Sequence, residues 1–519
     1  MRLTSPPHVT TLARFAPLIV GVVAFVVYAR TLLPGMAFGD WGEMQTVPHV
    51  LGVAHPTGYP TYLVLSWLAQ LVPLGSIAFR ANLLSAVLIS GALAVAVAIL
   101  LRLGVRPVVA AAAALAVGAI PTVWSAATVA EVNPLHLLFV VLLLHRALVW
   151  EDGRSVRDLV LGALLLGLAA GNHLLILFVA PFLLAYVLWV GRREIAARPW
   201  ILAPAAGAAM LGLAIYLYIP IAASLSPALP YNHPTTLDSV LWLVSGTQFR
   251  GQFSFLTPAG LTEFVGSLPA LWSLSVRHAT PVFPILGVIG LVLLARRRPA
   301  FGLTCVAILV TNVYIWANYL QLEHYLLVPW LVLGLGAGIT VEAVARALGR
   351  SLGRSSGRAR DVGTAASAVL SAAALVFAVT LGVVNWQASD RSGDRSAETY
   401  VDAVLSALPQ DAAILTEWDV STPLWHAQLV LGRRTDILVV DDTNIVYDGW
   451  GTREQRIASL ICERPVFALR IREGDLAPTR AAYRVEPVTT VFVALGGPSA
   501  AVTRTLFQVK PLDPGRCPG

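Results

Sequence analysis

Charge is the scarcest property of this sequence. Asp, Glu, Lys and Arg make up 13% of its 519 residues, where a soluble domain carries roughly a quarter. So little charge cannot coat a soluble surface of this size. That excludes an ordinary cytosolic enzyme, a disordered chain and a nucleic-acid binder with a solvated surface. Lysine is nearly missing: Lys510 is the sole one, so arginine carries the net charge of +7. In an apolar chain such an excess is a topology signal. With three cysteines there is no disulfide-framework domain. Cys305 lies in an apolar run and reads as a small packing residue. Cys462 and Cys517 can pair if their segment is extracytoplasmic, which the sequence leaves open. No Walker loop or Rossmann glycine pattern marks a soluble-nucleotide site. No internal repeat of the transporter kind is present.

What is abundant is apolar sequence, at 57% of residues with a mean hydropathy of +0.73. A helix needs about 20 apolar residues to cross a bilayer. On that measure about eleven crossings are expected, at residues 12–33, 78–103, 107–124, 134–150, 158–171, 172–190, 200–222, 280–295, 301–318, 325–347 and 363–386. Two short ones meet at Gly171 and Asn172, as in a helical hairpin. Arginines recur in alternate loops: Arg102 and Arg106, then Arg146, Arg154 and Arg157, then Arg192, Arg193 and Arg198, then Arg296 to Arg298, then Arg346 to Arg360. With Arg2 and Arg14 they fall on one side if the N-terminus is cytoplasmic. The first span then reads as an uncleaved signal anchor. The expected location is the plasma (inner) membrane, multi-pass, with loops 34–77 and 223–279 and everything from residue 387 extracytoplasmic. The cytoplasmic loops are short and basic, so any chemistry faces outward.

Two domains are expected, a transmembrane unit over residues 1–386 and an outer one over 387–519. In the second, β-rich runs at 412–415, 437–440, 466–469 and 491–494 alternate with helical patterns at 397–408, 423–431 and 453–462. That alternation predicts a small α/β layer. Asp436, Asp441 and Asp442 read as loop acids at strand ends rather than as a metal site. The fold class is therefore mainly α, a polytopic membrane bundle with a small C-terminal α/β domain.

The densest polar constellation is in the first outer loop. Asp40 and Glu43 are three apart, and His55-Pro-Thr-Gly-Tyr-Pro60 forms a turn stiffened by two prolines. If residues 41–50 are helical, both carboxylates share one face near its N-terminus. Two readings stand. Asp40 as N-cap with Glu43 as its N3 partner makes a capping box. Alternatively, one carboxylate is a general base for an acceptor hydroxyl while the other orients the acceptor or a metal. His55 and Tyr59 of the turn are the adjoining substrate-binding candidates. Residues 62–71 read as an amphipathic helix at the interface.

Asp40-Trp-Gly-Glu43, the turn ending at Pro60, and Ala78-Phe-Arg-Ala-Asn-Leu-Leu-Ser85 resemble the N-terminal signature of the domain of unknown function 2723 family. That family includes protein O-mannosyltransferases of the transmembrane protein 260 type, and more broadly the chain resembles the GT-C glycosyltransferases. Tyr216-Leu-Tyr-Ile-Pro220, Ser245-Gly-Thr-Gln-Phe-Arg250, Glu323-His-Tyr-Leu-Leu-Val-Pro329 and Asp411-Ala-Ala-Ile-Leu-Thr-Glu-Trp-Asp419 extend the likeness over about residues 15–445. The resemblance implies a GT-C-like bundle and a polyprenyl-phosphate-sugar donor. It also implies inverting transfer of a hexose, mannose by the family branch, outside the membrane. Asp40 becomes the base and Glu43 its assistant. The acceptor is a protein Ser/Thr hydroxyl by the same branch, with a glycan or lipid as alternatives.

Other polar residues divide between pocket and bland roles. Arg80 at the outer rim binds a lipid phosphate or simply snorkels, and Arg250, with Gln248, contacts the phosphate or the acceptor or is a solvated loop charge. His173, beside Asn172, lines a cavity or bonds between helices. Glu131 and Asn133 belong to a pocket by analogy with GT-C relatives, or to a turn. His324 opens a span from outside and is a further cavity candidate. A divalent cation on Glu43, His55 and His324 is an option that no short ligand spacing supports. The rival functions are a lipid or glycan transporter or flippase, and a non-enzymatic envelope assembly protein. No nucleic-acid partner is expected.

Overall fold

The computed structural model describes residues 11–225, 227–252, 257–353, 359–442, 451–471, 473–494 and 501–513. Helical segments overlie every expected crossing. Among the described residues, seven helices are individually long and apolar enough to span a bilayer. Two bent pairs, Pro107–Gly118 with Pro121–Ala127 and Pro258–Ala279 with Val282–Arg297, raise this to nine. The expected hairpin halves are Val156–Ala170 and Ala180–Ala197. The first is short and the second carries Arg192, Arg193 and Glu194, so neither reaches spanning length in apolar residues. A 3-10 turn, Leu174–Phe178, separates them.

Local sequence explains where helices start. Pro60, Pro107, Pro121, Pro258 and Pro299 each open one. There the missing N–H is not needed and φ is already helical. Bilayer lipid gives no hydrophobic drive for helices to associate, so close backbone approach matters. A Cβ on Gly290 would run into the Gly336 backbone, which lets Val282–Arg297 cross Leu327–Gly353 tightly.

At one end of the bundle several arginines are paired with carboxylates. Arg102 bonds Asp152 at 2.9 Å, Arg298 reaches Glu151 at 3.1 Å, and Glu342 holds Arg106 at 2.9 Å and Arg346 at 2.7 Å. The polar first loop and the C-terminal sheet lie at the other end.

That sheet has five strands: β1 (Ala413–Thr416), β2 (Leu438–Asp441), β3 (Val466–Arg470), β4 (Tyr483–Ala494) and β5 (Ala501–Pro511), in the order β2-β1-β3-β5-β4. β1 pairs in parallel with β2 and β3, and β5 pairs antiparallel with β3 and β4. The small α/β layer expected from sequence is present, enlarged by a hairpin. β5 and the first two-thirds of β4 were not among the expected strands. The Asp436, Asp441 and Asp442 acids are engaged in the protein: Asp436 pairs with Arg434 at 2.8 Å, and Asp442 with Arg453 at 2.6 Å and with Arg470. Cys305 is free and buried, as expected. The considered Cys462–Cys517 pairing involves Cys517, outside the described residues.

The first loop is stitched into the sheet's own core. Met36 and Phe38 join a buried cluster with Tyr400, Val420 and Leu424. The Met36 N–H donates to Glu398 at 3.2 Å. Gly42 allows the Gly39–Thr46 helix to touch Trp418–Leu429, because a Cβ there would meet the Ala37 carbonyl and lie 2.8 Å from Thr422 Oγ1. Packing between the two regions therefore sets the position of Asp40.

Candidate active site

The capping-box reading of Asp40 and Glu43 does not survive. The helix runs Gly39–Thr46 with Phe38 at its N-cap and no side-chain cap. Asp40 thus lies inside the first turn, where a carboxylate meets the positive end of the helix. Gln45 does the local tethering. Its oxygen accepts the Ala37 N–H at 2.9 Å and its amide donates to Asn82 at 2.9 Å, while Asn82 holds the Leu33 carbonyl and the Ala130 N–H. Both side chains are fully buried.

Glu43 and His55 form a tight unit. Glu43 accepts the His55 backbone N–H at 2.8 Å and, through its other oxygen, pairs with His55 Nδ1. The Tyr59 hydroxyl donates to the Pro56 carbonyl at 3.0 Å and so accepts from His55 Nε2, also at 3.0 Å. Both ring nitrogens are then donors, which is the imidazolium form. Burial opposes that charge, but the Glu43 and Asp40 carboxylates outweigh it, and the imidazole is pushed up to about 9. Burial also raises Glu43 against the pull of His55. The Glu43 side chain is 1% exposed, whereas Asp40 is 60% exposed. Glu43 therefore orients His55 from behind, and Asp40 is the carboxylate that can meet a substrate.

Asp40, Glu43 and His55 have ligand atoms within 4.8 Å of one another, the spacing of a cation site. Their bonding fits one poorly, because an imidazolium with both nitrogens donating offers no lone pair. Glu43, His55 and Tyr59 form the hydrogen-bonded chain, and Asp40 stands beside it, 4.0 Å from His55 Nε2. His324 is not part of that group among the described residues.

Asp40 faces a cavity of 750 Å³ lined also by His55, Tyr59, Glu131, His173, Gln248, Arg250, His324 and Trp418. Eight of the ten residues singled out in the sequence thus meet there or line it, with Glu43 just behind. Glu131 is anchored by the Trp41 indole at 3.0 Å and by Asn133 at 3.0 Å. His173 caps the Leu174–Phe178 turn and lies against Tyr59 and Tyr325, with ring centroids 5.7 Å and 6.0 Å away. Gln248 accepts from Tyr231 at 2.8 Å.

Arg80 is the exception. Its guanidinium donates to the carbonyls of Gln70 at 2.7 Å, Gly75 at 3.0 Å and Leu74 at 3.3 Å. It braces the turn before its own helix and does not line the cavity.

Sequence reasoning missed Trp418. Its indole N–H donates to Asp40 Oδ1 at 2.9 Å. Arg504 of β5 holds the residues on either side, pairing with Glu417 and, at 2.7 Å, with Asp419. A usable signal existed. The Glu417-Trp418-Asp419 triplet follows directly on β1, and open parallel sheets bind ligands at the carboxyl ends of strands where the connections diverge.

Comparison with known proteins agrees with this architecture. Residues 40–196 match the family model described as the protein O-mannosyl-transferase TMEM260 N-terminal domain. The mouse protein O-mannosyl-transferase TMEM260 is 31% identical over 224 residues, covering 41% of this chain and 31% of the mouse protein. The Dictyostelium discoideum protein of the same name is 33% identical over 66 residues, 12% of this chain and 8% of that protein. The matched stretches thus span a third or less of either relative. Among solved structures, ArnT from Cupriavidus metallidurans bound to undecaprenyl phosphate superposes with a TM-score of 0.55 at 15% identity, over 95% of this chain and 98% of that one. The apo form gives 0.53 at 13%, over 96% and 98%. The GT-C-like membrane fold expected from sequence is therefore present along nearly the whole chain.

Proposed function

On the premise of a TMEM260-type N-terminal domain in an ArnT-like membrane fold, we propose that this chain transfers a hexose from a polyprenyl-phosphate donor to an acceptor hydroxyl. The observation that carries the reading is the accessible Asp40 carboxylate, held by Trp418 on the wall of a cavity that also contains Arg250. Asp40 takes the proton of the acceptor hydroxyl as its oxygen attacks the anomeric carbon from the face opposite the phosphate. The bond to the phosphate oxygen breaks and its electron pair leaves on the phosphate. That departing anion needs electrostatic stabilisation rather than a proton, and Arg250 is suited to supply it. Glu43 acts through His55, keeping the imidazolium fixed beside the reacting groups.

The names of the relatives favour mannose and a protein hydroxyl. The paired arginines lie at the end of the bundle away from the cavity, which supports a cytoplasmic N-terminus and an extracytoplasmic site. Transporters keep ionisable residues along a midplane path, whereas the candidate site residues here line a cavity at the end of the bundle that bears the first loop.

The test is transfer by purified protein from radiolabelled polyprenyl-phosphate-mannose to envelope extracts. Wild type should incorporate label and Asp40→Asn should lose about a hundred-fold or more, the usual contribution of a general base. Silence of the wild type with mannose, glucose and arabinose donors alike would overturn the reading.

A further inference from the structure

Glu131 lines the active-site cavity, and its two oxygens are served unequally. Oε1 accepts the Val132 N–H at 2.9 Å and the Asn133 side-chain amide at 3.0 Å. Among the described residues the Trp41 indole N–H, at 3.0 Å, is the one donor to Oε2. A carboxylate oxygen accepts about two hydrogen bonds. Oε2 therefore keeps an acceptor position for a hydroxyl in the cavity, and the Trp41 indole sets the direction of the carboxylate.

What fixes that indole lies outside the cavity. The Arg391 guanidinium sits over the Trp41 ring, its carbon 4.9 Å from the centroid, within the reach of a cation–π contact. Arg391 follows the last membrane helix, Ala359–Ser389, and is tied down at two points. Its backbone N–H donates to the Thr31 carbonyl at 3.0 Å and its guanidinium to Ser125 Oγ at 2.9 Å. The other neighbours of Trp41 in its cluster are Leu33, Ala37 and Val129, which pack against the ring but offer it no charge.

Among the described residues no carboxylate pairs directly with Arg391. Asp394 shares its crevice but accepts the Ser396 N–H at 2.9 Å. A half-buried cation without a counter-charge is costly. Here the indole stands between two opposite charges, with Arg391 on its face and Glu131 at its N–H edge. A cation over the ring draws on its electrons and makes the N–H a stronger donor. The arrangement parallels the one at Asp40, where the Trp418 indole donates and Arg504 holds the flanking residues.

We infer that Arg391 is a positioning residue of the site: from outside the cavity it fixes Trp41, whose indole aims Glu131 at a substrate hydroxyl. The inference rests on the transferase reading and adds a residue to its machinery that never touches the substrate.

The experiment uses the full chain in detergent and the transfer of label from polyprenyl-phosphate-mannose. Arg391→Met keeps the length of the side chain and removes its charge. It should lower kcat about ten-fold, and Arg391→Lys, which restores a cation over the ring, should recover most of that loss. Trp41→Phe keeps a ring and removes the N–H. In that background Arg391→Met should cost nothing further, because the bond through which it acts is gone. Ser125→Ala unseats the guanidinium without removing it, and takes the place of the methionine variant in both backgrounds if that variant does not fold. Full kcat in a folded Arg391→Met protein overturns the inference. Losses that multiply in the double variant also overturn it, since a merely structural arginine acts independently of the Trp41 N–H. A lysine variant no better than the methionine one overturns the role of the charge. A wild type that transfers no label overturns the transferase reading, and this role with it.

Discussion

The Trp418 indole nitrogen lies 2.9 Å from Asp40 Oδ1, joining residues 378 positions apart. The candidate base thus belongs to the first loop but is aimed by the C-terminal sheet region. Trp418→Phe keeps the ring and removes the donor. A hydrogen bond to a charged group contributes about 1.5–3 kcal/mol, so kcat should fall about ten-fold or more. The KM for the donor should hold, since Trp418 does not supply the phosphate contact. Steady-state kinetics with and without the substitution decide this, and an unchanged kcat would remove Trp418 from a positioning role.

The His55–Glu43 unit makes stability depend on pH. His55 is raised to about 9, burial working against its charge and the two carboxylates outweighing that. In the unfolded chain a histidine titrates near about 6.5. The folded form therefore binds the proton more tightly. This stabilisation is fully present below about 6.5 and fades as pH rises toward 9. Melting temperatures at the two ends of that window should differ in the wild type, and the difference should shrink in Glu43→Gln. An identical pH dependence in both proteins would mean the pair is not a stabilising unit.

Gly42→Ala tests the docking of the first loop on the sheet. The new methyl would press on the Ala37 carbonyl and on Thr422 Oγ1, 2.8 Å away. Overpacking of this kind costs about 1–3 kcal/mol. The expected result is a lower melting temperature together with reduced transfer, because Asp40 moves with its helix. Full stability and full activity in the variant would show that the contact relaxes freely.

Topology is checked with single cysteines. Gly393 and Gly153 have nothing within 4 Å of an added Cβ, so Gly393→Cys and Gly153→Cys should fold normally. In intact cells a membrane-impermeant maleimide should label the first and not the second. The native Cys305 is buried and should stay silent, and Cys462 and Cys517 are replaced by Ser in the background used. Labelling in the reverse pattern would invert the proposed orientation.

Much of the bundle was legible because membrane helices announce themselves by long apolar runs. The short halves around Gly171 were read as spans by hydropathy, although Ala180–Ala197 ends in charged residues. β5 was missed despite the alternation in Thr503-Arg-Thr-Leu-Phe-Gln-Val-Lys510, since its partners lie far along the chain and pairing is not a local property. Asp40, His55, Tyr59 and Glu131 stood out as polar residues in an apolar chain. Arg80 stood out for the same reason, yet it closes a turn. Which polar residue faces a cavity and which satisfies carbonyls depends on direction, and composition carries no direction.

By itself the sequence determined the solvent this protein lives in, the rough placement of its apolar helices, and the loop that bears the carboxylates. These follow from transfer free energies that act residue by residue along the chain. The tertiary structure alone decided that Asp40 is open while Glu43 is sealed behind His55. It alone brought Trp418 to the site. Those outcomes arise because Phe38 and Gly42 are buried against helices 350 or more residues away, and no local preference encodes such contacts.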